Sequence, residues 1–178
     1  DLVVLSAAGL PAAVSSTPTA TELAATSANG TPGIVGVMVG ARYIDNNGIL
    51  QFDQFLPANA TTAGFTEIKI MVNDDPRQLY KIQGNAALGT FNSGTDGSGF
   101  AGAVGKNCSL DFSTSGSTST GNSGVSLKID TNGGTLAATE TLAMRVIDVV
   151  EGTEGDNFPE FIVKFNVGVH AYDNSLGV

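Results

Sequence analysis

The chain is 178 residues long, 42% hydrophobic but only 14% charged, with 23 glycines, no tryptophan and a formal net charge of -9 from 17 acidic against 8 basic residues. That length suits one domain with a real core, and the acidic balance, without any cluster of Lys or Arg, argues against nucleic acid or an anionic membrane as partner, since both are held through basic side chains. The lone cysteine, Cys108, leaves no internal disulfide and no metal-ligand pair, and no run reaches the roughly 18 apolar residues of a membrane-spanning helix.

Asp1-Leu2-Val3-Val4-Leu5-Ser6 reads as the middle of a strand, so an N-terminal arm is expected ahead of Asp1. Leu2 to Ala13 is apolar but has no positive start and is broken by Gly9 and Pro11, which is not the pattern of a signal peptide. After a polar connection from Pro18 to Thr31, an apolar run around Val35 predicts a strand. Asp45-Asn46-Asn47-Gly48 then supplies the positive-φ residues of a tight hairpin turn leading into a second strand, Leu50 to Phe55. Ile68, Ile70 and Val72 alternate with Glu67, Lys69 and Met71, the period of a half-buried strand. Asp74-Asp75-Pro76 should stop it, because proline removes a backbone donor and restricts the residue before it.

Shorter strands are expected at Leu79 to Gln83, Asn107 to Phe112 and Val125 to Asp130, the last followed by a turn at Thr131-Asn132-Gly133-Gly134. Between them, Gly84 to Gly105 and Ser113 to Gly124 are so rich in Gly, Ser and Thr that they read as long loops, with Phe91 and Phe100 as anchors in the first. Thr135 to Thr141 could form a single helical turn. Leu142, Met144 and Val146 begin a strand whose run through Val149 and Val150 implies burial on both faces in part. The most regular pattern is Phe161 to Tyr172, which puts Phe161, Val163, Phe165, Val167, Val169 and Ala171 on a core face and His170 on the other. The expectation is an all-β chain: one domain spanning residues 1–178, a single antiparallel barrel or sandwich with long Gly/Ser/Thr-rich loops and little helix.

Three segments carry a resemblance. They are Gly33 to Asp45, containing Gly36, Tyr43 and Asp45; Gln54-Phe55-Leu56-Pro57-Ala58; and Ile68 to Pro76, ending on Asp74-Asp75-Pro76. In this order and spacing they resemble a family of small structural proteins of tailed bacteriophages, made beside the major capsid protein and carried on the shell as decoration or cement. Gly105-Lys106-Asn107 and the Ser117 to Gly124 stretch, each leading into a strand, extend the likeness over roughly residues 1 to 172. A looser similarity, from Asp1 to Ala13 and on to Pro32-Gly33-Ile34-Val35-Gly36-Val37, is to lambdoid head-stabilising proteins with a trimeric, barrel-like body. The resemblance implies a homotrimer at local three-fold positions that binds the major capsid protein on the outer surface of the virion, after synthesis in the host cytoplasm. The apolar segment Asp1, Leu2, Val3, Val4 and Leu5 is the candidate coat-facing surface.

Chemistry is thin. His170 is the one histidine, with no Gly-x-Ser-x-Gly elbow to supply a nucleophile, and Cys108 alternates with Leu110 and Phe112 as a core thiol would. Asp74 and Asp75 are neighbours on an extended chain and point to opposite sides, so capping a turn explains them better than a shared metal. Glu151, Glu154, Asp156 and Asn157 form the densest acidic loop, which most simply is a solvated connection. Neither cofactor nor metal is expected, and no enzymatic activity. The alternative reading is a head-fibre or adhesin-like module that binds host-surface glycan.

Overall fold

The structure, a computed structural model, describes residues 2–5, 11–13, 34–57, 59–87, 102–114, 116–117, 120–129, 136–138, 140, 142–153 and 155–173, with backbone alone at 4–5 and 11–13. Among the described residues there are ten strands and no α-helix, so the chain is all-β, as its alternating pattern predicts.

Strands β1 (Leu2–Leu5), β2 (Pro11–Ala13), β3 (Ile34–Ile44), β4 (Leu50–Asp53) and β5 (Thr66–Asn73) form one antiparallel sheet with β3 as its spine. β5 pairs along one edge of β3 from Val37 to Ile44. β1 and β4 divide the other edge, β1 beside Ile34 to Val37 and β4 beside Ala41 to Ile44. The predicted turn between β3 and β4 is built around Asp45, whose carboxylate accepts from the Asn47 and Ile49 amides and from Gln51 Nε2, each at 2.9 Å. Gly48 closes that turn with a left-handed φ of +77°. The Asp75 carboxylate likewise accepts from the Arg77 amide at 2.8 Å, which is the turn-capping role expected for it.

Strands β6 (Tyr80–Gln83), β7 (Asn107–Asp111), β8 (Ser126–Lys128), β9 (Met144–Val149) and β10 (Glu160–Phe165) form the second sheet, in the spatial order β6-β10-β9-β7-β8 with every paired neighbour antiparallel. This sheet curls until its ends meet. Gly84, just past β6, bridges Leu127 of β8, the Asn85 amide donates to the Leu127 carbonyl at 2.9 Å, and the Ile129 amide donates to Asn85 Oδ1 at 2.8 Å. A Cβ at Gly84 would lie 2.7 Å from Ile129 and 2.9 Å from Phe161, so glycine is what lets this seam close over the core.

The core sits inside the curled sheet. Cys108 and Leu110, Leu127, Met144 and Val146, and Phe161, Val163 and Phe165 all point into it, as alternation predicts, and Leu2 and Ile34 enter it from the first sheet. Each large apolar side chain so buried stabilises the fold by about 1.5–3 kcal/mol relative to exposure. The two sheets are stitched where the chain after β10 passes β3: the Ile34 amide donates to Val169 O at 3.0 Å and the Ala171 amide to Ile34 O at 2.8 Å.

Four expectations are corrected. The strand predicted from Phe161 to Tyr172 stops at Phe165, because Asn166 turns inward and its side-chain amide donates to the carbonyls of Glu140 and Leu142 at 2.9 and 3.1 Å. A turn with Gly168 at φ +83° follows, and Val167, assigned to the core face, is 68% exposed. In β9 the double-sided burial is instead a bulge: Asp148 pairs with Ile162 and Val146 with Val163, so Ile147 is an extra residue that shifts the inward phase from Val146 to Val149. Ala137, within the suspected helical turn, pairs in extended form with Asn107. Gly84 and Asn85, taken as loop, are the barrel seam. Phe91, Phe100 and the Thr131 to Gly134 turn lie outside the described residues.

Candidate functional site

The segments that carry the resemblance come together in the first sheet. Gly36, near the start of β3, lies against Asn73 at the end of β5, where an added Cβ would stand 2.0 Å from the Asn73 carbonyl oxygen. Asp74-Asp75-Pro76 leaves the sheet from that point. At the other end of β3, Tyr43 is buried, stacks on Phe65 at a centroid distance of 4.8 Å and donates its hydroxyl to Asp53 of β4. The hydrogen bond to Asp53, then burial, pushes the Tyr43 pKa up to about 12, so the phenol remains a donor. Phe55, in the aromatic-proline segment ending at Pro57, packs on Gly121 of the Ser/Thr/Gly loop, and Gln54 Nε2 reaches the Thr120 carbonyl at 3.5 Å.

Register divides the side chains of this sheet between two faces. Arg42 pairs with Phe52 and Lys69, Gly40 with Met71, and Ile44 with Leu50, so these share one face; Ala41 and Tyr43 lie on the other. Two bulges adjust the pattern. Val39 is an extra residue in β3 between Met38 and Gly40, and Glu67, at φ +49°, belongs to an extra pair in β5 opposite Tyr43. The face with Tyr43 is covered. The face with Phe52 is open, leaving Phe52 65%, Val39 58%, Met71 47% and Leu50 45% exposed around the Arg42–Glu67 ion pair. Nothing in the sequence marks these four residues as a cluster, because they come from three strands and meet only through register.

The proposed coat-facing segment is arranged otherwise. Leu2 and Val3 are buried, with Leu2 in the shared core, so these side chains are spent inside the protein. Asp1 and the side chains of Val4 and Leu5 lie outside the described residues.

His170 also departs from expectation. It is 1% exposed rather than outward-facing, its Nδ1 accepts from the Tyr172 amide at 3.2 Å, and its Nε2 has no hydrogen-bond partner. Burial holds its pKa below that of free histidine, against the opposing pull of the Val35 carbonyl and of Asp173, Asp74 and Asp75. Cys108 is wholly buried and donates to the Lys128 carbonyl at 2.9 Å. Among the described residues no group of three or more His, Cys, Asp and Glu side chains is placed to hold a metal ion, and no helix is long and apolar enough to cross a membrane.

No family model, no curated protein and no solved structure matches the chain. What its function can be argued from is therefore the sequence resemblance and this geometry.

Proposed function

We propose that the chain is a structural protein of a tailed-bacteriophage head: a decoration or cement protein that binds the outer surface of the major capsid protein, as a homotrimer at local three-fold positions. By bridging coat subunits it adds interface that internal DNA pressure must break before the shell ruptures, and repetition over symmetric copies multiplies a modest binding energy. The observation that carries this reading is the convergence of the family-like segments: Gly36, Tyr43, Asp45 and Asp74-Asp75-Pro76 lie on one sheet or in the turns that bound it. The open face with Val39, Leu50, Phe52 and Met71 exposed around the Arg42–Glu67 ion pair is the surface this reading assigns to the coat. It is proposed in place of Leu2 and Val3 of the candidate segment Asp1 to Leu5, because those two side chains are buried. A net charge of -9 keeps such a protein from competing for packaged DNA.

Virions lacking the protein test the reading. They are expected to assemble and package DNA but to lose integrity at lower temperature than complete particles, and added purified protein should restore them without any cofactor. Phe52→Ser with Met71→Ser should fold but fail to restore. Depleted particles that are equally heat-stable yet do not adsorb to host cells would replace cement by the adhesin reading.

A further inference from the structure

A groove of about 610 Å³ runs over the barrel seam. Its floor includes Gly84, Asn85 and Ser126, where β6 meets β8, and Thr114, Ser117 and Asn122 stand at its wall. Phe158, 54% exposed, is held at the rim because the next residue, Pro159, accepts a 2.8 Å hydrogen bond from the Gly84 amide. The volume falls in the range of roughly 300–1,000 Å³ typical of small-molecule sites.

The lining defines the ligand chemistry. Asp111 is fixed from two sides: Oδ2 accepts from Asn85 Nδ2 at 2.8 Å and Oδ1 from the Ser113 amide at 2.9 Å. A carboxylate has about four acceptor positions, and Asn85 with the Ser113 amide and hydroxyl take three, which leaves room for one ligand hydroxyl. Burial works against the Asp111 charge, but Ser113, Asn85 and the nearby Lys128 together hold its pKa below that of free aspartate, and it is ionised at neutral pH. Serine hydroxyls along the wall and floor, among them Ser123 and Ser126, both donate and accept. Among the described residues no Lys or Arg lines the groove, Asp111 is ionised and the protein is acidic overall, which disfavours an anionic ligand.

The described residues of the wall are tied by backbone bonds and packing. The Ser117 amide donates to Asn122 O at 2.9 Å, the Gly121 amide to Ser117 O at 2.8 Å, and Gly121 packs on Phe55. An exposed flat ring, a fixed carboxylate-amide pair and neutral hydroxyls suit a ligand that is polyhydroxylated, uncharged and apolar on its ring face.

We propose that this groove binds a neutral saccharide, with Phe158 stacking on a sugar ring and Asp111 and Asn85 receiving its hydroxyls. The site goes beyond the decoration role and stands or falls separately from it. The test is titration of isotopically labelled protein, followed by NMR, with glucose, galactose, mannose and N-acetylglucosamine, with their disaccharides maltose, lactose and chitobiose, and with glucuronic acid as the anionic counterpart. At least one neutral sugar should give saturable shifts at Gly84, Asn85, Ser113 and Ser126. Phe158→Ala should weaken that binding about 3- to 10-fold, the worth of one aromatic contact, and Asp111→Asn should weaken it while the remaining spectrum stays folded. Shifts from none of the neutral sugars, binding indifferent to Phe158→Ala, or tighter binding of glucuronic acid would each overturn the proposal.

Discussion

Ile34 and His170 form a parallel bridge that joins the first sheet to the barrel, and the imidazole at that joint is buried with Nε2 unpartnered. Its ring lies 5.6 Å from Phe165 and 5.4 Å from Tyr172, and burial there strips water from the charged form, which is what makes protonation costly. The fold therefore holds the neutral ring. The Val35 carbonyl, then the carboxylates of Asp173, Asp74 and Asp75, soften this preference but do not reverse it.

A pH dependence follows. With the folded pKa below the ordinary value of 6.5, the unfolded chain binds a proton first as pH falls, so the contribution of His170 is full above about 6.5 and is lost progressively on acidification toward the folded pKa. Denaturant midpoints measured from pH 7.5 downward should fall faster for the native protein than for His170→Phe. The protection factor of the Ala171 amide, its exchange rate corrected for the intrinsic pH dependence, should fall in the same window. Parallel curves for the two proteins would show that the acid sensitivity comes from elsewhere.

Gly36 is a steric requirement of the first sheet. The atoms that a Cβ would strike are the Asn73 carbonyl oxygen at 2.0 Å and its carbon at 2.8 Å, both backbone, so relief requires β3 and β5 to separate. Gly36→Ala should cost at least about 1–3 kcal/mol, the usual range for overpacking. Gly155→Ala, where a Cβ meets nothing within 4 Å, should stay within about 0.5 kcal/mol. Thermal melts of the two variants side by side give the comparison.

Phe165 is 3% exposed and meets Tyr80 edge-on at 5.4 Å, at the wall of an apolar cavity of about 170 Å³ where Leu2 and Val37 of the first sheet meet the barrel. Phe165→Ala should destabilise by about 3–5 kcal/mol, because the void it leaves cannot collapse against two independent sheets. Urea unfolding should show a lower midpoint with an unchanged slope. A Val167→Ala control, on the exposed turn, should change the midpoint little.

The all-β class, most strand positions, the Asp45 turn and the inward phase of Cys108, Leu110, Phe161, Val163 and Phe165 were legible in the sequence because each depends on neighbours within a few residues. Period two and turn chemistry are local properties, and the core face of a strand repeats them without reference to its partners. The open face of Val39, Leu50, Phe52 and Met71 was not legible, since strand register and the Val39 bulge decide which side chains meet. Nor was the groove, which exists because Gly84 bridges Leu127 across 43 positions of chain. His170 shows the same limit: alternation continued through Val167 places it outside, but Asn166 finds carbonyl partners at Glu140 and Leu142, ends the strand, and swings the next residues under β3. Local pattern determined which segments became strands and which side chains sought the core; pairing between distant segments, and the polar groups that had to be satisfied where they met, decided what was left at the surface to bind anything else.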